Sequence, residues 1–288
     1  MKSKFSALRD SSVIGWLLLS MIALACMPAH AQKTAAKPAA YQLGVFPHLA
    51  AGQIENTFAP MALDFSKALG RPVALKTKPS FEDFMRELDN QTYDIAFVQP
   101  FDYVWAHDRH GYIPLARRGE PLAGLIVVKP TSPLRTLEEL KGRKIGTPPE
   151  VAAVSHLTKM ALLKAGIDPR QDVQVQYYKA HDSCLQQLLI GEIDACSTAA
   201  YPLRFFENKW NVTFRVLAET QTISHSLFIV HPRVSAKHRE IIRKTILSWD
   251  KTKAGRLLLE RGELKPFIAV TDAEYGEVRK YARQMQGK

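Results

Sequence analysis

The sequence predicts an α/β protein of two Rossmann-like lobes joined by a two-strand hinge, and three observations predict it. From Tyr41 onward short apolar strands alternate with amphipathic helices. The alternation runs through one block, pauses, and restarts in a second block of similar plan. Two look-alike apolar strands, GLIVVKP (124–130) and SLFIVHP (226–232), stand between and after the blocks. Repeated β-α-β units imply a parallel sheet covered by helices, and a chain that visits two such units needs two connections. The expected division is lobe 1 over 41–127, lobe 2 over 128–227, and a return to lobe 1 with C-terminal helices over 228–288. The alternative is a single large sheet.

In the first block YQLGVF reads as a strand. Ile54, Phe58, Met61, Phe65 and Leu69 then repeat at helical spacing until Gly70 ends the helix. PVALKT is a strand, Phe81 to Leu88 a helix, DIAFVQ a buried strand, Tyr103 to Arg109 a short helix and YIPLAR a strand. In the second block GRKIGT is a strand, 151–165 a helix closed by Gly166, and DVQVQYY a strand. Ser183 to Ile190 is a helix, IDACST a strand, Pro202 to Asn208 a helix and TFRVLAE a strand. From Lys237 onward the pattern is helical and amphipathic, carried by Ile241, Ile242, Ile246, Trp249 and later Tyr275, Val278 and Tyr281.

The N-terminus reads differently. Lys2, Lys4 and Arg9 precede the apolar run Val13 to Ala25, and Ala29-His30-Ala31 follows it. A basic start, a short apolar stretch and an A-x-A site describe a secretory signal peptide cleaved after Ala31. The run is too short to span a membrane, and the residues before Cys26 fit a lipoprotein signal poorly. A periplasmic location is expected, with 32–40 as a flexible lead-in. Removing residues 1–31 takes away Lys2, Lys4, Arg9 and Asp10 and lowers the formal charge from +11 to +9. The remaining basic residues are scattered, which suits a solvated surface and a monomer with no nucleic-acid partner. Cys184 and Cys196 survive cleavage, on a helix and on the strand that follows it. They are a disulfide candidate in an oxidising compartment; two free buried thiols are the alternative reading.

Signatures of catalysis are missing. The sequence has no G-x-S-x-G elbow, no phosphate-binding loop, no G-x-G-x-x-G, and no Cys-x-x-Cys or H-E-x-x-H spacing. His107 and His110 flank Asp108 on a predicted helix end, where solvation explains them better than a metal. No cofactor or metal is expected, and the chain is not expected to be an enzyme. The chemistry-bearing residues gather where predicted strands end, the usual ligand position in open α/β sheets. These are Phe46 and His48; Gln99, Phe101 and Tyr103; Thr147 and Glu150; His181 and Asp182; and Tyr201. Each also has a structural reading: Phe46 and Phe101 as core, Asp102 and His181-Asp182 as helix caps.

LGVFPH, FAPMALDFSKALGRPV, YDIAFVQPFDYVWA, RTLEELKGRKIGT, ALLKAGIDP and HDSCLQQLLIGEIDA occur in one order. As a set, from about Tyr41 to about Trp249, they resemble the periplasmic substrate-binding proteins of the phosphate/phosphite/phosphonate ABC-transporter family. The resemblance implies the type II periplasmic binding protein fold, a small solute bound in the cleft between the lobes, and delivery to an inner-membrane ABC permease. It also implies that Tyr103 points into the cleft, that His181 of the H-D pair contacts the ligand, and that Asp194 is structural. At the second-lobe helix start, where phosphonate binders of this kind carry a run of Ser and Thr, this chain has Ala152, Ala153 and Val154. If Thr147 caps that helix, Pro148 and Pro149 offer no N–H; if the helix starts near Ala152, the amides from Val151 to Ala153 remain available. An anionic or zwitterionic solute is expected, phosphonate-like or another oxyanion, with Val151 and Ala152 among its contacts. Two further readings keep the fold: a ligand-sensing subunit for a receptor kinase, and a metal-ion binder using Tyr103, His181, Asp102 or Glu150.

Overall fold

The computed structural model describes residues 39–286 of the chain. The expected signal peptide and most of the lead-in lie outside the described residues. The first strand, β1 (Tyr41–Val45), is followed by α1 (Ala51–Leu69), β2 (Val73–Lys76), α2 (Phe81–Asp89), β3 (Ile95–Val98), α3 (Pro100–His110) and β4 (Ile113–Arg118). The second block holds β5 (Leu125–Val128), β6 (Lys144–Thr147), α4 (Ala153–Lys164), β7 (Gln174–Tyr177), α5 (His181–Ile190), β8 (Ala195–Thr198), α6 (Ala200–Trp210) and β9 (Arg215–Glu219). The chain then forms β10 (Leu227–Val230), α7 (Ala236–Ile246), α8 (Lys253–Arg261), β11 (Phe267–Ala269) and α9 (Gly276–Gln286).

These strands make two sheets. One runs β11-β4-β10-β3-β1-β2 and the other β7-β6-β8-β5-β9. In each, the three strands linked by β-α-β units are parallel, β2-β1-β3 in the first and β7-β6-β8 in the second. In each, the fourth strand is antiparallel: β10 against β3 and β4, and β5 against β8 and β9. The sheets are therefore mixed, where repeated β-α-β units alone imply purely parallel ones. A strand arriving from the other lobe enters at the opposite end of the sheet and so runs the other way. The strands read as hinge connections are thus members of the sheets, and lobe 2 begins before 128. The chain crosses at 119–124 and again at 220–226. The crossings are tied together by reciprocal backbone bonds between Leu122 and Ile223, both 2.9 Å, and by the Gly124 N–H donating to Thr220 Oγ1 at 2.8 Å.

Alternation along the strands sorts the cores. In β5, Ile126 and Val128 face one cluster with Ile145, Leu162 and Ile167; Val127 faces the other with Leu185, Leu188, Ile193 and Phe206. Lobe 1 has one continuous core, in which Phe58, Phe97, Phe228, Phe267 and Trp249 pack ring against ring. The C-terminal segment joins this core through Trp249 and Phe267. The sulfurs of Cys184 and Cys196 lie 1.97 Å apart, a disulfide between α5 and β8 with its Cα atoms at 5.9 Å.

Candidate solute-binding site

In an open α/β sheet the loops diverge where strand order reverses, and that leaves a crevice at the carboxyl ends of the strands. Here the reversal lies between β1 and β3 in one lobe and between β6 and β8 in the other. The loops after those four strands supply the walls of a cavity of about 370 Å³. Phe46 and His48 follow β1 and Gln99 follows β3; Ala152, Ala153 and Val154 follow β6, and Ala199 to Pro202 follow β8. The hinge crossings complete it with Arg118, Glu120, Leu122, His225 and Ser226. Phe81 and Phe97 add to its apolar base, and the exposed Arg204, Glu219, Glu263 and Lys265 add to its rim.

The histidines in this wall are fixed and neutral. His48 stacks on Phe46 with ring centroids 4.3 Å apart, and its Nδ1 sits 2.9 Å from the Phe46 carbonyl oxygen. Burial lowers its pKa to about 4. Burial likewise lowers that of His181 to about 3, while its Nδ1 bonds Thr198 Oγ1 at 2.9 Å. His225 is held well below its ordinary value by burial and by the positive charge of Arg118. An imidazolium in this wall would lose its hydration, so the neutral ring is favoured.

The second-lobe helix α4 starts at Ala153, with Ala152 as its N-cap residue. Thr147 is not the cap. It is the last residue of β6, paired with Tyr177, and its carbonyl accepts the Tyr178 N–H at 2.9 Å. A residue before proline also resists helical backbone angles, which disfavours a helix that starts at Thr147. The amides at the helix start are largely taken. Ala152 N–H donates to the Pro149 carbonyl at 2.9 Å, and Ala153 N–H donates to Gln99 Oε1 at 2.8 Å. Gln99 Nε2 in turn donates to the Val151 carbonyl and to Asp102 Oδ1, both at 2.9 Å. A side chain of the first lobe thus occupies the amide at the start of the second-lobe helix.

Of the residues expected from sequence, Phe46, His48, Gln99, Ala152, His181 and Tyr201 line the cavity. The others do not. Tyr103 is fully buried, donates to Asp272 Oδ1 at 2.7 Å and meets the Tyr275 ring at 4.7 Å, so it packs against the C-terminal segment rather than the cleft. Phe101 packs against the His156 ring at 4.7 Å. Thr147 is buried and bonded to the Pro148 carbonyl, and Ser155 Oγ donates to it. Glu150 is exposed and paired with Lys159 at 2.6 Å, Asp182 is exposed, and Val151 contributes only its carbonyl, to Gln99. Asp194 accepts the Lys144 N–H at 2.9 Å and joins the β8 turn to β6. The metal-ion reading loses its ligands here, because Tyr103 and Glu150 are committed elsewhere. Among the described residues no group of three or more His, Cys, Asp or Glu could hold a metal ion. Sequence reasoning missed Phe97, Arg118, Glu120, His225, Glu263 and Lys265. Arg118 ends β4 and was within reach of the strand-end rule; Glu263 and Lys265 arrive from beyond α8 with no local signal.

Residues 43–275 match the family model described as ABC transporter, phosphonate, periplasmic substrate-binding protein. The chain belongs to this family. It is a family of transport proteins that bind solutes in the periplasm, and not one of enzymes. The fold is similar to that of PhnD1 from Prochlorococcus marinus, solved in complex with methylphosphonate, at 15% identity and a TM-score of 0.76, covering 86% of this chain and 99% of that one. The binding component of an ABC phosphonate transporter from Pseudomonas aeruginosa is similar at 14% identity and a TM-score of 0.75, covering 86% of each chain. The periplasmic aliphatic sulphonate binding protein SsuA from Escherichia coli is similar at 16% identity and 0.66, covering 87% of this chain and 92% of that one. No curated protein matches the chain in sequence. Among the described residues no helix is long and apolar enough to cross a membrane.

Proposed function

We propose that the chain is exported with its N-terminal leader removed after Ala31, binds one small solute in the cavity between its lobes, and delivers it to an inner-membrane ABC permease. The observation that carries this reading is the cavity itself, with its walls drawn from four strand ends of two sheets and from the hinge. Two lobes linked by the crossings at 119–124 and 220–226 can close around a solute by hinge motion. The contacts in this reading are Phe46, His48, Phe97, Gln99, Ala153, Val154, His181 and Tyr201, with Arg118 and His225 from the hinge.

The reading departs from a free phosphate or phosphonate ligand. The α4 helix start carries no hydroxyl residue before Ser155, and the Ala153 amide is already bonded to Gln99. Hydrogen bonds to a charged group contribute about 1.5–3 kcal/mol each, so a small oxyanion held at that point would forfeit several decades of affinity. The cavity volume falls within the roughly 300–1,000 Å³ usual for organic ligands.

The test is thermal denaturation of the purified mature chain against a library of anions, amino acids and vitamins. A true ligand at 100 times its Kd adds about 2.7 kcal/mol, which raises Tm by roughly 5–10 °C for a domain of this size. A library without any stabilising solute, together with an empty cavity by native mass spectrometry, would sink the proposal.

A further inference from the structure

The two lobes line the cavity with different kinds of side chain. On the first-lobe side Phe46, His48, Phe81 and Phe97 form one cluster of rings. His48 stacks on Phe46 with centroids 4.3 Å apart. Phe97 lies 5.6 Å from Phe46 and 6.0 Å from His48, and Phe81 lies 6.0 Å from Phe46. These rings come from the loop after β1, the start of α2 and β3 itself, so the fold assembles the cluster from separate stretches of sequence. On the second-lobe side the lining at two helix starts is short and apolar: Ala152, Ala153 and Val154 at α4, Ala199 and Ala200 at α6. Short side chains on one lobe leave room against the rings of the other.

The polar side chains in the lining are neutral, already paired, or at the rim. Gln99 spends both Nε2 hydrogens on Asp102 and Val151 and its oxygen on the Ala153 N–H. His181 is bonded to Thr198 and His225 accepts the Ser226 N–H. Burial keeps both of these rings, like His48, uncharged. Tyr201 is half-buried and adds a neutral hydroxyl. Arg118 and Glu120 are paired with each other. The remaining charges, Arg204 and Lys265 against Glu219 and Glu263, are exposed at the rim and balance in sign. A charged solute set against the rings would lose its hydration with no uncommitted opposite charge beside it. An uncharged ring loses little hydration there. It also gains edge-to-face or offset contacts beyond those of a saturated body of the same size.

We propose that the ligand is an uncharged aromatic or heteroaromatic solute seated against the rings of Phe46, His48, Phe81 and Phe97. This inference rests on the solute-binding reading and narrows its ligand.

The experiment is calorimetric titration of the mature chain with benzamide, nicotinamide, indole and adenine. Benzoate and nicotinate keep a ring and add a negative charge, cyclohexanecarboxamide keeps the outline of benzamide without its aromaticity, and methylphosphonate is an anion without a ring. At least one of the uncharged aromatic probes should bind. The charged probes should bind at least about tenfold more weakly, and cyclohexanecarboxamide about three- to tenfold more weakly. Phe81→Leu, with its fold checked by circular dichroism, should weaken the aromatic probe about three- to tenfold and narrow its advantage over cyclohexanecarboxamide. Binding of benzoate, nicotinate or methylphosphonate as tight as that of the uncharged aromatics overturns the absence of charge. Equal binding of benzamide and cyclohexanecarboxamide overturns the aromatic character, as does a Phe81→Leu protein with unchanged affinities. Each of these outcomes leaves the solute-binding reading standing. No binding by any uncharged aromatic probe overturns this inference; the solute-binding reading falls with it only if the wider library also stabilises nothing and the cavity is empty by native mass spectrometry.

Discussion

The side-chain oxygen of Gln99 accepts the Ala153 N–H at 2.8 Å, so a residue of the first lobe fills the start of the second-lobe helix α4. The same carboxamide donates to the Val151 carbonyl at 2.9 Å. One side chain thus both occupies the helix terminus and bridges the two lobes. Gln99→Leu keeps the volume and removes every one of these bonds. Stability should fall by about 1–3 kcal/mol. The ligand-free protein should also expand in small-angle X-ray scattering as the lobes part. An unchanged scattering curve would mean that Gln99 does not hold the lobes together.

Asp102 introduces a pH dependence. It is 4% exposed, its Oδ2 has no partner, and burial raises its pKa to about 7 despite the bond from Gln99. In the unfolded chain the carboxylate ionises near its ordinary value, whereas the folded protein retains the proton up to about 7. Its stabilising contribution is therefore full below about pH 4 and lost as the pH rises through 7. Asp102→Asn is neutral throughout and should gain on the native protein by up to about 3 kcal/mol between pH 5 and pH 8, at ~1.4 kcal/mol per unit. Urea denaturation at the two pH values measures this; an equal offset at both would contradict it.

Tyr103 provides a negative control for the cleft. Its hydroxyl bonds Asp272, which in turn is held by Arg279 at 2.8 Å. Tyr103→Phe should lower stability by about 1–2 kcal/mol and leave the affinity for any cleft ligand unchanged. A selective loss of affinity with the melting temperature intact would return Tyr103 to the binding wall.

The disulfide closes a short loop, with a sequence separation of 12 between Cys184 and Cys196. Cross-links of this span typically contribute about 2–4 kcal/mol, so replacing both cysteines by alanine should lower Tm by roughly 5–10 °C. Treatment with a reductant should give a similar drop in the native protein. A melting curve unmoved by either change would show that the pair does not contribute as a cross-link.

Local pattern made most elements legible. Ile54 to Leu69 and Phe81 to Leu88 are helices because one face of each is apolar at helical spacing, and those faces are buried. The strand β11 was hidden for the opposite reason. Its three residues lie in a helical stretch and form a strand only by pairing with β4, more than 140 residues earlier. Thr147-Pro148-Pro149-Glu150 carried a capping-box pattern, yet pairing of Thr147 with Tyr177 in the sheet outweighed it.

The candidate site divides along the same line. Strand ends marked Phe46, His48, Gln99, His181 and Tyr201, because an α/β unit delivers its loops to the carboxyl edge whatever the rest of the chain does. Partners remote in sequence decided the remainder. Tyr103 was drawn off the cleft by Asp272, and Gln99 was drawn across it by Ala153, 54 residues away. The elements, their order and the doubled plan are written in neighbouring residues, whose periodicity reflects which face can leave water. Strand direction at the hinge and the occupied helix start exist only once distant segments pack, because each depends on which groups find partners in the folded chain.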